Sequence, residues 1–249
     1  MALEPKTLRV KHAYEQVSSE IEAQILAGGL KPGDRLPSEQ EMATMFSVNR
    51  STVREGIRRL ESDGFVQRVS PRKLEVCLPR MNELASRQSR ALRMLEVSFE
   101  ELWSVAIATE PLAAEQAALH ARKADIAALE KVQRALEAAT GSGRDTVRLD
   151  TEFHSLVAAA SQNRVLQMCR EPIGHLLYAG MERLVDRLPQ ATGRQLVAHQ
   201  RIIDAIRDGD APTARDWMHK HIEDFRRGFV LAGLPLDKPI AAHFAKPKG

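Results

Sequence analysis

The sequence predicts a mostly α-helical protein with two parts, a small N-terminal domain that contains a pair of short helices and a longer all-α helical bundle. Two helix starts follow each other closely between Leu36 and Val66. From Ser98 onward, apolar residues recur every three or four positions, and the alternation typical of strands is nearly absent. A chain of 249 residues with 43% hydrophobic content is long enough to bury two separate cores.

The first predicted helix covers residues 10 to 26, because apolar side chains recur there at helical spacing and Gly28 and Gly29 follow its end. It carries no distinctive chemistry, so we expect it to be the scaffold for the helix pair behind it. Arg35 precedes that pair in an exposed turn. A phosphate contact and an ordinary surface position are equally compatible with Arg35.

The two short helices have clear start signals. Ser38 and Glu41 have the spacing of a capping box, in which each side chain bonds the backbone amide of the other residue. Asn49 is a suitable N-cap for the second helix. The predicted apolar positions are Met42, Met45 and Phe46 in the first helix and Val53, Ile57 and Leu60 in the second.

The polar face of the second helix carries the chemistry of this domain. Arg50, Ser51 and Thr52 lie in its first turn, and Arg54 lies one turn further on. A helix that enters the major groove by its N-terminus presents such residues to base edges, where arginine pairs with guanine through two hydrogen bonds. The helix N-terminus also favours a phosphate. The pattern therefore predicts a recognition helix for double-stranded DNA.

A resemblance to a known family is carried by residues 28 to 66, GGLKPGDRLPSEQEMATMFSVNRSTVREGIRRLESDGFV. This segment resembles the winged helix-turn-helix of the GntR family of bacterial transcription regulators, and the match covers nearly all of residues 10 to 70. The resemblance implies that Arg50 and Arg54 contact the operator. It also implies a two-stranded wing after Gly64, at residues 65 to 68 and 74 to 77.

Two departures from the family pattern concern contacts near the wing. This chain has Gln40 where family members commonly have arginine, and residues 70 to 73, Ser-Pro-Arg-Lys, where they have a glycine-rich tip. The operator sequence is therefore not transferable from relatives. The candidate DNA-contacting residues are Arg35, Gln40, Arg50, Ser51, Thr52, Arg54, Arg72 and Lys73.

Charge and composition agree with this assignment without requiring it. The net charge is only +3, but residues 48 to 80 hold eight Lys or Arg against four acidic residues, which focuses positive charge on the motif. Cys77 and Cys169 lack metal-type spacing and are interpreted as free thiols. No signal peptide or long apolar run is present, so we expect a cytoplasmic protein that does not enter a membrane.

We predict the domain limits from these patterns. The DNA-binding domain takes residues 1 to 78, a linker or lead-in helix residues 79 to 97, the bundle residues 98 to 234 and a C-terminal tail residues 235 to 249. Ser98 and Glu101 form another capping box ahead of a helix whose predicted apolar face is formed by Leu102, Val105, Ala106, Thr109, Leu112 and Ala113. Further helices are predicted at about 124–139, 145–161, 164–187, 193–208 and 211–232.

The bundle contains a candidate metal site. Asp150 and His154 are four residues apart and project from one face of a helix. His199 and His221 each lie beside apolar residues in later helices. Imidazole and carboxylate ligands suit a divalent transition metal such as Zn, Ni, Mn or Fe. Spacing alone leaves the alternative open that these are ordinary core or surface histidines.

Residues 98 to 232 resemble the effector domain of the FadR subfamily of GntR regulators, in the version that carries a metal centre. The resemblance implies that Asp150, His154, His199 and His221 are the ligands, with His219 expected to point elsewhere. Relatives often have an arginine near the start of the first bundle helix that is positioned to bind an effector carboxylate. This chain has Ala106 and Ile107 there instead. We expect a small organic acid or sugar acid effector, which could bind the metal directly.

These observations predict a regulator that binds a pseudo-palindromic operator as a homodimer, with one recognition helix for each half-site. We expect a repressor whose operator affinity changes when the effector binds. Two alternatives remain open: a metal-dependent hydrolase or lyase that uses the Asp and His residues, and a regulator whose metal is purely structural. An enzyme would have no use for the arginine-bearing helix, so we predict a protein that is not an enzyme and assign no catalytic residue.

Overall fold

The structure is a computed structural model that describes residues 12–71, 73–139, 143–177, 184, 188 and 190–240. The chain divides into two compact units between Arg80 and Met81. The first unit contains α1 (Ala13–Leu26), α2 (Glu39–Met45), α3 (Arg50–Asp63), β1 (Val66–Ser70) and β2 (Lys73–Val76). The second contains α4 (Met81–Met94), α5 (Phe99–His120), α6 (Lys123–Ala138), α7 (Gly143–Ala160), α8 (Arg164–Leu177), α9 (Gln190–Asp208) and α10 (Ala211–Leu231). The predicted fold class, a winged helix-turn-helix followed by an all-α bundle, is confirmed.

The helix pair of the first unit begins as predicted at α2. The Glu41 amide donates to Ser38 Oγ at 3.3 Å, and the Ser38 amide donates to a Glu41 carboxylate oxygen at 2.7 Å. Asn49 occupies the N-cap of α3, and the amide of Thr52 donates to its backbone carbonyl at 3.0 Å, while its side chain makes no capping bond to the described residues. The capping box at Ser38 and the N-cap position of Asn49 are both confirmed.

One core holds the first unit together, formed by α1, α2, α3 and the inner face of the wing. Val53, Ile57 and Leu60 are at most 1% exposed, as their spacing predicted. Met45 is 68% exposed, which corrects its assignment to the buried side of α2. This helix has only seven residues and packs through Met42 and Ala43, which leaves Met45 on its outer face.

The wing is an antiparallel pair with Val66 opposite Val76, and a register shift lies between Arg68 and Ser70. Its first strand begins at Val66, one residue later than predicted, because the Phe65 amide closes the end of α3 by donating to the Leu60 carbonyl at 2.9 Å. The second strand begins at Lys73 and ends at Val76, a one-residue shift from the prediction.

The bundle is organised around α5, which packs against α7, α8, α9 and α10. Its start at the Ser98 and Glu101 capping box is confirmed. Its buried face is lined mainly by alanines such as Ala106 and Ala113, together with Glu110. Leu102, Ala106 and Ala113 are buried as predicted, whereas Val105 and Leu112 are 43% and 37% exposed, so the assignment of these two residues to the buried face is wrong.

The predicted linker and the start of the predicted C-terminal tail both pack onto the bundle. Residues 81–94 form α4, whose Ser89 hydroxyl donates to the Pro172 carbonyl of α8 at 3.0 Å. The Ile240 amide donates to the Val97 carbonyl at 2.8 Å.

Most of the predicted helical stretch after Leu177, up to residue 187, lies outside the described residues. Across the ranges given above, no helix is long and apolar enough to span a membrane.

Candidate functional site

A carboxylate joins the two predicted recognition arginines in the first unit. Glu39, at the start of α2, accepts a bond from Arg50 Nε at 3.2 Å and bonds from Arg54 Nε and Nη2 at 3.3 Å, all at its Oε2 atom. The side chain of Glu39 is only 11% exposed, whereas those of Arg50 and Arg54 are 58% and 46% exposed. The two guanidinium groups are thus accessible to a binding partner, and the less exposed Glu39 carboxylate holds them in place.

A third arginine, Arg68 on β1, completes this cluster and was not predicted. Its Nη2 lies 3.3 Å from Glu39 Oε1, its Nε lies 3.3 Å from Glu61 Oε1, and its Nη1 donates to the Pro71 carbonyl at 3.1 Å. The only signal in the sequence is a basic residue on a wing strand, since Glu39 is 29 residues away. We call Glu39, Arg50, Arg54 and Arg68 the arginine cluster.

The electrostatics of the arginine cluster favour an ionised Glu39. Burial alone raises the pKa of Glu39, but hydrogen bonds and positive charge from Arg54 and Arg50 outweigh burial and hold this pKa below its ordinary value. The cluster lines a concavity of about 680 Å³ to which Gln40 and Arg58 also contribute. Arginines at the rim of such a concavity form a positively charged surface suited to the phosphates and base edges of DNA.

The remaining predicted DNA-contacting residues are placed differently. Ser51 is exposed and Thr52 is half-buried on α3. Arg35 and Lys73 are drawn together outside the concavity, because Glu75 Oε1 lies 4.0 Å from Arg35 Nε and 2.7 Å from Lys73 Nζ. Arg72 lies outside the described residues. The assignment of this set to DNA contact stays a prediction.

Four titratable side chains from three helices meet inside the bundle. Asp150 and His154 lie one turn apart on α7, His199 is on α9, and His221 is on α10. One ligand atom of each lies within 4.8 Å of the others. His221 Nε2 is 3.2 Å from His154 Nε2 and 3.1 Å from His199 Nε2, and Asp150 Oδ1 is 3.3 Å from His199 Nε2. The structure therefore brings together all four predicted ligands, and His219 is exposed, as its spacing predicted.

The protonation of this Asp–His cluster suits a cation. Burial lowers the pKa of His199 and of His221, so both rings are neutral near pH 7 and each keeps a lone pair. Burial raises the pKa of Asp150, but the hydrogen bond with His199 and the nearby imidazoles outweigh it and hold this pKa below its usual range. An ionised carboxylate beside neutral imidazoles is a donor set for a divalent transition metal.

The spacing of the donor atoms also fits one bound ion. Ligands that coordinate a metal at about 2.0–2.2 Å come within roughly 3.0–3.4 Å of one another, and the three shortest separations here are 3.1, 3.2 and 3.3 Å. Among the residues that the structure describes, Asp150 Oδ2 is buried without a hydrogen-bond partner. An unsatisfied buried carboxylate oxygen is costly unless something positive binds it. The residues present therefore fit a metal.

Glu110 on α5 orients one of the four ligands and was not predicted. Its Oε2 lies 2.7 Å from His154 Nδ1 and its Oε1 lies 3.3 Å from Arg170 Nε, with every partner buried. A proton on Nδ1 that is shared with this carboxylate leaves the lone pair of His154 on Nε2, which faces the cluster. Glu110 is 44 residues from His154, so no spacing pattern could have associated the two residues.

Two further residues, Gln195 and Arg170, help to fix the cluster. The Gln195 amide of α9 donates to Asp150 Oδ1. The Arg170 guanidinium bonds Ser155 Oγ and donates to the Thr151 carbonyl at 3.2 Å, which ties α8 to α7. Such outer contacts hold ligand side chains in one orientation before an ion binds.

Comparisons with known proteins agree with both halves of this description. The profile of the bacterial regulatory proteins of the gntR family matches residues 13–76, and the profile of the FCD domain matches residues 101–224. The chain is 29% identical over 209 residues to the HTH-type transcriptional regulator LutR of Bacillus subtilis, a match that covers 81% of this chain and 95% of LutR.

Another relative and a solved structure extend the comparison. The HTH-type transcriptional repressor NanR of Salmonella schwarzengrund is 29% identical over 231 residues, covering 89% of this chain and 86% of NanR. A solved structure of a GntR protein from Streptococcus agalactiae has a TM-score of 0.63 at 25% identity and covers 86% of this chain and 99% of its own. All three comparisons span both units.

Proposed function

The chain belongs to the GntR family of bacterial transcription regulators and carries an FCD domain, and we propose that it is a repressor that releases its operator when a small organic acid binds beside a metal ion in the bundle. The relatives are regulators, so the chain is not an enzyme. The hydrolase or lyase alternative is therefore set aside. The name of the NanR relative supports the repressor assignment.

The observation that carries the proposal is the presence of two specialised sites in one chain. One is the exposed arginine cluster, in which Glu39 fixes Arg50 and Arg54. The other is the buried cluster in which the Asp150 carboxylate and three imidazole side chains converge. The buried Asp–His cluster lies outside the DNA-binding unit, so we assign it one of two roles. It either stabilises the bundle or makes the protein respond to a ligand.

On the DNA side, Arg50 and Arg54 contact base edges and Arg68 contacts the backbone, while a homodimer places one such set on each half-site. Ser51, Thr52 and Gln40 extend the surface. Two-fold pairing of both the protein and the operator explains why a change within the bundle alters affinity for both half-sites at once.

On the effector side, Asp150, His154, His199 and His221 hold a divalent transition metal, and Glu110 keeps His154 in the right tautomer. A bound divalent ion supplies a positive charge that attracts a carboxylate. An acid that prefers the low-affinity arrangement of the protein weakens operator binding, and the operator weakens acid binding by the same factor.

The test begins with duplexes selected from a random library for binding to the full chain. Operator affinity is then measured by fluorescence anisotropy for metal-loaded protein, for chelator-treated protein, and for metal-loaded protein with each of a panel of carboxylic and sugar acids. We expect at least one acid to weaken binding, and only when metal is present. If no acid changes the affinity while the chelator lowers the melting temperature, the metal is purely structural. If no duplex is enriched, the regulator assignment fails.

A further inference from the structure

An open groove lies on the bundle between α9 and α10, beside the Asp–His cluster. Its volume is about 570 Å³, which is enough for a small organic molecule. The groove is lined by Arg194 and Val197 of α9 and by Trp217, Lys220, His221 and Asp224 of α10. We call this feature the α9–α10 groove.

His221 is shared by the groove and the Asp–His cluster. It is 7% exposed, whereas Asp150, His154 and His199 are 0% exposed. Its ring therefore forms part of the wall between the groove and the cluster. A molecule in the groove contacts a ligand residue directly, so occupation of the groove and occupation of the cluster affect each other.

The groove presents two cations and one anion. Arg194 Nε lies 2.9 Å from Asp224 Oδ2, and the two side chains are 45% and 33% exposed. This pair uses Nε, so the Nη1 and Nη2 edge of the guanidinium remains for a second carboxylate, which arginine binds through two parallel bonds. Lys220 is exposed, and its Nζ lies 5.2 Å from the Trp217 ring centroid. The net charge of these three groups attracts an anion.

The rest of the lining is apolar. Val197 is 57% exposed, and the half-buried indole of Trp217 adds an aromatic surface. The lining offers few acceptors for hydroxyl groups, because the Asp224 carboxylate is already paired with Arg194. In this open groove a polyhydroxylated sugar acid would keep its hydroxyl groups in water and gain few hydrogen bonds from the lining, so the hydroxyl groups would add little affinity. An aliphatic acid would cover Trp217 and Val197 with carbon.

We infer that the α9–α10 groove is the effector site, that Arg194 and Lys220 bind the carboxylate groups, and that the effector is a short aliphatic mono- or dicarboxylate rather than a sugar acid. This inference rests on the proposed function, in which an organic acid controls the bundle.

The test uses calorimetric titration of the zinc-loaded full chain with glutarate, butyrate and gluconate. We expect binding to decrease in that order, since glutarate uses both cations, butyrate uses one cation and the apolar lining, and gluconate covers the apolar lining with hydroxyl groups that gain few bonds from it. Loss of a charge-assisted bidentate contact lowers affinity by about tenfold or more, so Arg194→Gln and Lys220→Gln should each weaken glutarate binding by about that factor. Arg227→Gln, an exposed charge change on the same helix, is the matched control and should change nothing.

Asp224→Asn supplies a change in the opposite direction, which a damaged fold could not imitate. It releases Arg194 and removes a negative charge, so glutarate should bind several-fold more tightly. Zinc content, measured by elemental analysis, should stay equal in all variants. If an acid binds the wild-type chain but Arg194→Gln, Lys220→Gln and Asp224→Asn leave its affinity unchanged, the groove is not the site and the proposed function stands. If gluconate binds best, the assigned effector class is wrong. If no acid of the wider panel binds the wild-type chain, the proposed function itself fails.

Discussion

Glu39 Oε2 accepts hydrogen bonds from both Arg50 and Arg54, at 3.2 and 3.3 Å, although Glu39 belongs to the other helix of the pair. A carboxylate on a DNA-binding surface opposes phosphate, so its presence needs a compensating benefit. The geometry supplies one, because two flexible side chains are held in fixed positions on the exposed face of α3. Fixing a guanidinium before binding removes part of the entropy lost on association.

Glu39→Gln should therefore lower the specificity of DNA binding while raising non-specific affinity. The amide holds the two arginines less firmly, and one negative charge near phosphate is lost. The ratio of affinities for a selected operator and a random duplex, measured at one salt concentration, should fall. Glu55→Gln on α3 removes the same charge from an exposed position that contacts only Arg58 among the contacts described. An equal fall in the ratio for both variants would contradict the positioning role of Glu39.

Arg54→Ala should reduce the free energy of operator binding by roughly 1–3 kcal/mol, the usual loss for a bidentate arginine contact with a base. Arg59→Ala is the control on the same helix, since Arg59 lies near Glu15 and Asp63 at 3.8 and 3.9 Å instead of joining the arginine cluster. Fluorescence anisotropy with the selected operator measures both. Equal affinity of Arg54→Ala and wild type would remove Arg54 from the interface.

Arg68→Ala should weaken binding to operator and to random duplex alike, because the contact proposed for this wing residue is with phosphate, which is the same in every sequence. The slope of log affinity against log salt concentration should fall by about one unit, the signature of one lost phosphate contact. Arg59→Ala serves again as the control, with an unchanged slope. Loss of operator binding alone, with random-duplex binding intact, would instead assign Arg68 to base contact.

Glu110→Gln should lower metal affinity by about 10- to 100-fold, as is usual when the partner that orients a ligand histidine is changed. The variant keeps an oxygen near His154 Nδ1 but loses the charge that pairs with Arg170. Competition with a coloured zinc chelator measures the affinity. The control is Glu115→Gln on the same helix, which removes a half-buried carboxylate that pairs with Arg215 instead of a ligand histidine. His154→Ala removes a ligand outright and should impair metal retention further. Wild-type affinity in Glu110→Gln would show that Glu110 does not act through His154.

Local sequence patterns predicted the helices well. Contacts between residues far apart in the sequence could not be predicted from such patterns. The capping boxes at Ser38 and Ser98 are encoded within four residues, so sequence alone identified them. Asp150 and His154 share a helix face, which spacing also shows. His199 and His221 could be joined to them only through the family resemblance. Glu39 and Glu110 act on residues at least 11 positions away, where periodicity carries no information.

The prediction that Val105 and Leu112 of α5 are buried was wrong for a related reason. Val105 and Leu112 follow the helical period correctly, but the period does not say which side of an apolar helix meets its neighbours. The buried side keeps the predicted Leu102, Ala106 and Ala113 and is otherwise formed mainly by small alanines, which lets α7, α8 and α10 approach closely. The choice between two possible faces was therefore made by tertiary packing and not by hydrophobicity.

Gly174→Ala should destabilise the bundle, although alanine favours a helix by about 1 kcal/mol over glycine. A Cβ at Gly174 would lie 2.8 Å from the Arg170 guanidinium carbon, and this group is held in place by Glu110, Ser155 and the Thr151 carbonyl. Moving it leaves buried hydrogen bonds to a charge unmade, at about 1.5–3 kcal/mol each, which exceeds the helical gain. We expect the free energy of unfolding to fall by about 1–2 kcal/mol. Urea unfolding followed by tryptophan fluorescence measures it, since Trp103 and Trp217 both lie in the bundle.

Gly193→Ala on α9 is the control, because its Cβ would meet nothing within 4 Å, and it should stabilise the bundle slightly. Equal gains in both variants would mean that Arg170 can move without breaking its buried contacts.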